Sequence, residues 1–383
     1  MVDILLRGIT WEHRRAVHPL VNTIAAFRKR HPEIGVAWDS RPLHGFEFTP
    51  VEELAARYDL IILDHPFAGD IAAKQYLLPL DALANSEALA DVFVGPSLET
   101  YRYDGHLWAL PVDAACQVAV YRPDLLARRG GQPPRSWAEM MALGDQGTRL
   151  GLKLAVAFAG VHSLMTFFTL CANLGRPCAI TPSDPLVDRD TAAEALEAMR
   201  RLIDFCPPEA LDWNSIALHD AMVARDDLVY CPAVYCYAAY AEADIPRPLA
   251  FADLPGLRRA SPAGSTVGGT GVGVSARTAH PEAALAYVRF LMEAETQRQF
   301  ALNHGQPARL DAWRDPALNA RFGNCFRDTL PTMEQAWIRP RYAGYLRFQR
   351  AGGDLVEAHL RGAIGEAALL EQLQALHASR GVA

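Results

Sequence analysis

No stretch of this 383-residue chain approaches the ~18–20 uninterrupted apolar residues that a membrane span requires, and no block of lysines and arginines occurs anywhere in it. The first absence argues against membrane insertion. The second, with 44 acidic residues against 37 basic ones and a formal net charge of −7, argues against nucleic acid or an anionic membrane surface as the main partner. The expected partner is a small molecule. Nor is a signal peptide expected. The opening Met1-Val2-Asp3-Ile4-Leu5-Leu6-Arg7-Gly8 is too short an apolar run, and Thr10 to Arg15 turns polar with no small-residue cleavage site. The chain as written is expected in the cytoplasm, or in the periplasm if Met1 is an engineered start that replaced a leader.

Cysteine is scarce and scattered. The seven residues at 116, 171, 178, 206, 231, 236 and 325 are odd in number, so reduced buried thiols are expected rather than a disulfide framework. Cys231 and Cys236 flank a proline at a spacing that is neither a C-x-x-C redox centre nor half of a zinc site. G-x-S-x-G, H-E-x-x-H and S-x-x-K are all lacking, and His13, His65 and His162 have no metal-ligand spacing. Neither a metal nor a cofactor is expected, and an enzyme less than a binding protein.

What is present is half hydrophobic (50%), modestly charged (21%) and of mean hydropathy zero, the composition of a globular chain with a large core. Its length suggests two domains or one fold with two lobes. The first sixty-five residues read as βαβαβ: a strand at Ile4–Gly8, a helix ending at His31-Pro32, a strand at Val36–Trp38, a helix over Pro50–Tyr58, and the apolar run Leu60–Leu63. Ligands of such open sheets sit outside the carboxyl ends of the strands, which draws attention to Thr10-Trp11-Glu12-His13 and Asp64-His65-Pro66. Mixed α/β patterning continues, with strands expected at Leu154–Phe158 and Leu249–Phe251, a capped helix after Ser136, and one long helix over Asp354–His377.

The candidate site residues follow from these strand ends. Trp11 and Trp108 offer a flat apolar face and one donor, suited to a ring-shaped or hydroxylated ligand; core packing is the competing reading. Asp64 and Asp113 are acceptor groups able to take paired hydroxyls or a ligand ammonium, or else to cap a helix or form a surface salt bridge. His13, His65 and His162 are possible donors. Gln117 and Gln306 are further polar candidates, and Tyr235, Tyr237 and Tyr240 line a stretch that serves equally as a half-buried face. Gly269-Thr270-Gly271-Val272-Gly273 fails G-x-G-x-x-G, because Val274 holds the sixth position, and reads as a strand where backbone approaches a ligand or lobe closely.

The order of motifs resembles bacterial extracellular solute-binding protein family 1, the maltose-binding-protein-like receptors of ABC importers. Tyr58 to Asp64 with Tyr76 to Asp81, Tyr103 to Pro111, Val120 to Leu126 with Pro133 to Glu139, and Gly269 to Ala276 with His280 to Ala284 carry the resemblance in sequence order. It implies an α/β, two-lobed periplasmic-binding-protein-like fold of type II, with hinged lobes and a central ligand cleft. The expected lobes are residues 1–111 plus 252–308 and 112–251 plus 309–383, with crossings near Val112–Gln117 and Pro248–Leu254. The implied function is closure on a small polar ligand (sugar, polyol or hydroxy acid), with ABC permease subunits as partners and the receptor a monomer. The alternative is a cytosolic sensor or an enzyme reusing the fold, with Asp64 or Asp113 as base and His65 or His162 as acid.

Overall fold

The computed structural model describes residues 3–127, 131–258 and 261–380. Its strands are β1 (Ile4–Trp11), β2 (Ile34–Arg41), β3 (Leu60–Leu63), β4 (Arg102–Tyr103), β5 (His106–Leu107), β6 (Leu110–Asp113), β7 (Gln117–Tyr121), β8 (Lys153–Leu154), β9 (Leu228–Tyr235), β10 (Ala250–Ala252) and β11 (Thr270–Val274). The chain gathers into two compact α/β units. One runs up to Ala114 and takes back Gly268–Leu318 and Arg341–Ala343; the other holds Ala115–Val267, Asn319–Pro340 and the chain from Gly344 onward. The return to the first unit comes later than the Pro248–Leu254 crossing read from the sequence, because β10 pairs antiparallel with β7 and keeps that segment in the second sheet. Residues 309–318 stay with the first unit, where Leu310 N donates to Val92 O at 2.8 Å.

In the first unit the sheet order is β2-β1-β3-β11-β6. The expected βαβαβ is there: β1, the helix Arg14–Arg30, β2, two short helices at Leu43–Phe48 and Val51–Ala55, then β3. The first helix buries Ala16, Pro19, Leu20, Thr23 and Phe27, a stripe at helical spacing, and Phe27 meets Tyr287 edge-to-face at 4.9 Å. All four β3 residues are buried, as an apolar run covered on both faces requires. β1 is parallel to β2 and β3, whereas β11 is antiparallel to both β3 and β6. The carboxyl ends of β1, β2, β3 and β6 and the amino end of β11 therefore share one edge. Two paired positions fix that edge: Trp11 opposite Arg41, and Thr270 opposite Asp113.

The second unit is built on a sheet of order β10-β7-β9-β8, in which only β8 and β9 run parallel. The expected strand at 154–158 is shorter than the pattern suggests. Lys153 and Leu154 form the ladder, and the buried apolar residues after them run into the helix Val161–Asn173 without pairing as a strand. The long helix expected over Asp354–His377 is two helices, Tyr345–Leu360 and Glu366–Ala378. Gly362, at φ 78°, turns the chain between them in a conformation that strains any residue with a Cβ.

Candidate ligand-binding site

The shared strand edge of the first unit carries a dense set of buried polar groups. Thr10 Oγ1, Trp11 Nε1, Thr270 Oγ1 and all three side-chain nitrogens of Arg41 are shielded and, among the described residues, have no hydrogen-bond partner. Thr10 is 0%, Trp11 4% and Thr270 5% exposed. Each such group costs about 1–3 kcal/mol when left unmade in a finished core, so a native chain gathers several in one place chiefly where a ligand completes them. Trp11 and Arg41 converge on one ring: the indole and Phe46 centroids are 5.1 Å apart, and the guanidinium carbon lies 5.6 Å from the Phe46 centroid. Burial pushes the Arg41 pKa down, to about 10, which leaves it a cation at neutral pH.

Beside this set the edge is braced. Arg15, in the first turn of the helix Arg14–Arg30, grips Asp113 with Nε at 2.8 Å from Oδ2 and Nη2 at 2.5 Å from Oδ1. Asp113 thus forms a salt bridge, but a buried one rather than the surface pair read from the sequence. His13 is the helix N-cap, its Nδ1 accepting from Arg15 N at 3.1 Å. Asp64 caps the short turn after β3, accepting from His65 N at 2.8 Å, and the His65 ring is fully buried with Nδ1 3.0 Å from Asp64 Oδ1. Gln306 Nε2 donates to Ala114 O at 3.0 Å.

Trp108 stands apart from Trp11. Its indole N–H donates to Tyr103 O at 3.0 Å across the β4–β5 hairpin, which commits the donor to the fold. Of the glycine-rich stretch, Gly269 and Thr270 lie at the edge, but Gly271 serves packing: a Cβ there would sit 2.7 Å from Cζ of Tyr101, whose hydroxyl donates to Leu63 O.

In the second unit, Gln117 is spent on a buried hydroxyl network. Its Nε2 donates to Thr166 Oγ1 at 3.3 Å, and its Oε1 accepts from Thr169 Oγ1 at 2.6 Å, which in turn lies 2.7 Å from Thr266 Oγ1. His162 is buried with Nδ1 3.3 Å from Ser215 Oγ, and burial first, then the nearby Arg339 charge, pushes its pKa down to about 4. Tyr235 is half-buried opposite Gln117 in register. Tyr237 packs on His219 and Tyr240 in the core, at centroid distances of 5.5 and 6.4 Å.

Sequence reasoning passed over Thr10 as a ligand group and Arg41 altogether. The second strand runs to Arg41 rather than stopping at Trp38, so its carboxyl end reaches the same edge as those of strands one and three. Among the described residues no cluster of His, Cys, Asp or Glu is arranged to hold a metal ion, and no helix is long and apolar enough to cross a membrane. The edge offers donors, hydroxyls and a guanidinium that meets no hydrogen-bond acceptor among the described residues, which is an inventory for binding.

Comparison with solved structures places the fold among two-lobed, type II binding proteins. The maltose-bound MalE3 of T. maritima aligns with TM-score 0.84 and 20% identity over 98% of this chain and 99% of that one. A solute-binding protein of an Agrobacterium radiobacter ABC transporter, in complex with ribitol, aligns with TM-score 0.78 and 18% identity over 99% of each chain. The GacH receptor of Streptomyces glaucescens, solved unliganded and with acarbose, aligns with TM-score 0.81 and 17% identity over 99% of each. Residues 50–320 match the family model of the bacterial extracellular solute-binding proteins, and the chain belongs to that family.

Proposed function

We propose that this protein is the receptor of an ABC-type uptake system for a small hydroxylated organic ligand, a sugar, polyol or hydroxy acid, and that the strand-end edge of its first unit holds that ligand. The observation that carries the reading is the set of buried polar groups at that edge: Thr10 Oγ1, Trp11 Nε1, Arg41 and Thr270 Oγ1. Ligand hydroxyls both donate and accept, so one hydroxylated molecule satisfies threonine hydroxyls, an indole N–H and a guanidinium together. The maltose, ribitol and acarbose held by the compared structures support a hydroxylated ligand.

The acid–base alternative has less support. Asp113 is bound by Arg15, Asp64 accepts from a backbone N–H, and His162 is held neutral at the pH where a general acid would need its proton.

A melting-shift screen over sugars, polyols and hydroxy acids tests the reading. A true ligand at 100 times its Kd adds ~2.7 kcal/mol of stability. That ligand, incubated with stoichiometric protein for hours, should be recovered unchanged. A chemically altered product would favour an enzyme, and a panel with no stabiliser would contradict the receptor reading.

A further inference from the structure

The edge described above has a charge character as well as a hydrogen-bonding one. The neighbouring Arg15 is matched with a carboxylate, Asp113, in a bidentate pair. Arg41 is not; among the described residues its three shielded nitrogens meet no acceptor, and its guanidinium lies against the Phe46 ring. A ring face attracts a cation, yet it supplies none of the hydrogen bonds that five N–H groups require.

We propose that the ligand carries one carboxylate, received by the Arg41 guanidinium, with the indole N–H of Trp11 as the adjacent donor. The inference rests on the reading of this edge as the ligand site and adds the ligand's charge to it. Trp11 and Arg41 are paired positions on adjacent parallel strands and pack on the same ring, so a group reaching one reaches the neighbourhood of the other. The planar fork of a guanidinium matches a carboxylate with two parallel hydrogen bonds. The helix terminus beyond β1 favours an anion. The helix Arg14–Arg30 begins directly beyond β1 with no acidic residue in its first turn, and it carries Arg14 and Arg15 there. Glu12, the acid nearest in sequence to Trp11, is exposed. One charge fits better than two, because Arg15 is already committed to Asp113, while Arg41 meets no carboxylate among the described residues. Burial lowers the Arg41 pKa without neutralising it in the physiological range, so the receiving charge persists.

The experiment is a compound-by-compound comparison of carboxylates with their neutral counterparts, headed by D-gluconate and D-glucuronate against D-glucitol and D-glucose, with D-glucose 6-phosphate as a dianionic arm. Melting shift and calorimetry are read on the wild type, Arg41→Met and Arg41→Lys. The proposal expects carboxylates to bind at least 10-fold tighter than their neutral partners, and Arg41→Met to lose that advantage. Arg41→Lys, which keeps the charge but not the fork, should fall between them. Ligand-free Arg41→Met should melt no lower than the wild type, since the variant removes an unmatched buried cation. Equal affinity for neutral and acidic partners, a preference for the phosphate, or unchanged carboxylate affinity in Arg41→Met would overturn the charge inference and leave the receptor reading intact. So would a ligand-free Arg41→Met that melts several degrees lower, because Arg41 would then be a structural cation. Binding of neither class would overturn both readings together.

Discussion

Arg15 and Asp113 form a bidentate ion pair, each residue 5% exposed, that ties the first turn of the opening helix to the carboxyl end of β6. The pair joins segments 98 positions apart in the chain at the edge where the ligand is proposed to sit. Asp113→Ala removes the carboxylate and strips Arg15 of its paired anion inside the protein. The expected cost is about 3–5 kcal/mol of stability, measured by denaturant unfolding. Loss of ligand affinity with an unchanged unfolding midpoint would instead make Asp113 a ligand contact.

His162 gives the protein an acid-sensitive element. Its folded pKa of about 4 lies below the ordinary value of 6.5, so between those limits the unfolded chain takes up a proton that the folded chain refuses. Stability from this residue is therefore complete above about pH 6.5 and declines as pH falls towards 4, by about 3 kcal/mol in all. His162→Asn should flatten that decline in unfolding free energy measured across pH 4 to 7. Part of the slope should remain, because burial lowers the pKa of His377 as well. A variant with the wild-type slope would remove His162 from this role.

Gly271→Ala tests whether the glycine run serves packing. The added methyl would meet the Tyr101 ring at 2.7 Å, and Tyr101 is held by its hydrogen bond to Leu63 O. A loss of about 1–3 kcal/mol is expected, as for other overpacked cores. Gly271→Ala with wild-type stability but lost ligand binding would point back to a ligand-facing backbone.

The first unit's frame was legible because its pattern is periodic: Leu60–Leu63 emerged with the bounds read from its apolar run, and the stripe through Leu20 and Phe27 gave the first helix. Legibility failed where a strand leaves the core. The strand read at Val36–Trp38 ends where the sequence turns polar, yet Asp39-Ser40-Arg41 continues β2 in register with β1 and carries Arg41 to the edge. Trp11 and Trp108 are alike in sequence, each at a strand end. They differ through one long-range fact and one local one: Trp11 packs on Phe46, while the hairpin turn at Asp104-Gly105 brings Tyr103 O back to the Trp108 indole. Gln117 likewise looks like a ligand group until the helix Val161–Asn173 supplies Thr166 and Thr169 to saturate it. Which polar residues are spent and which are left over is a property of tertiary partners, and periodicity does not carry it.

Thr270→Val asks whether the strand-end edge of the first unit receives the ligand. The substitution keeps the branched shape that suits β11 and deletes one buried hydroxyl that has no hydrogen-bond partner among the described residues. With the ligand found by melting shift, calorimetric titration should show affinity weakened by about 1–3 kcal/mol, while the ligand-free protein melts at or above the wild-type temperature. Unchanged affinity in Thr270→Val, and again in Thr10→Val, would move the ligand site elsewhere on the protein.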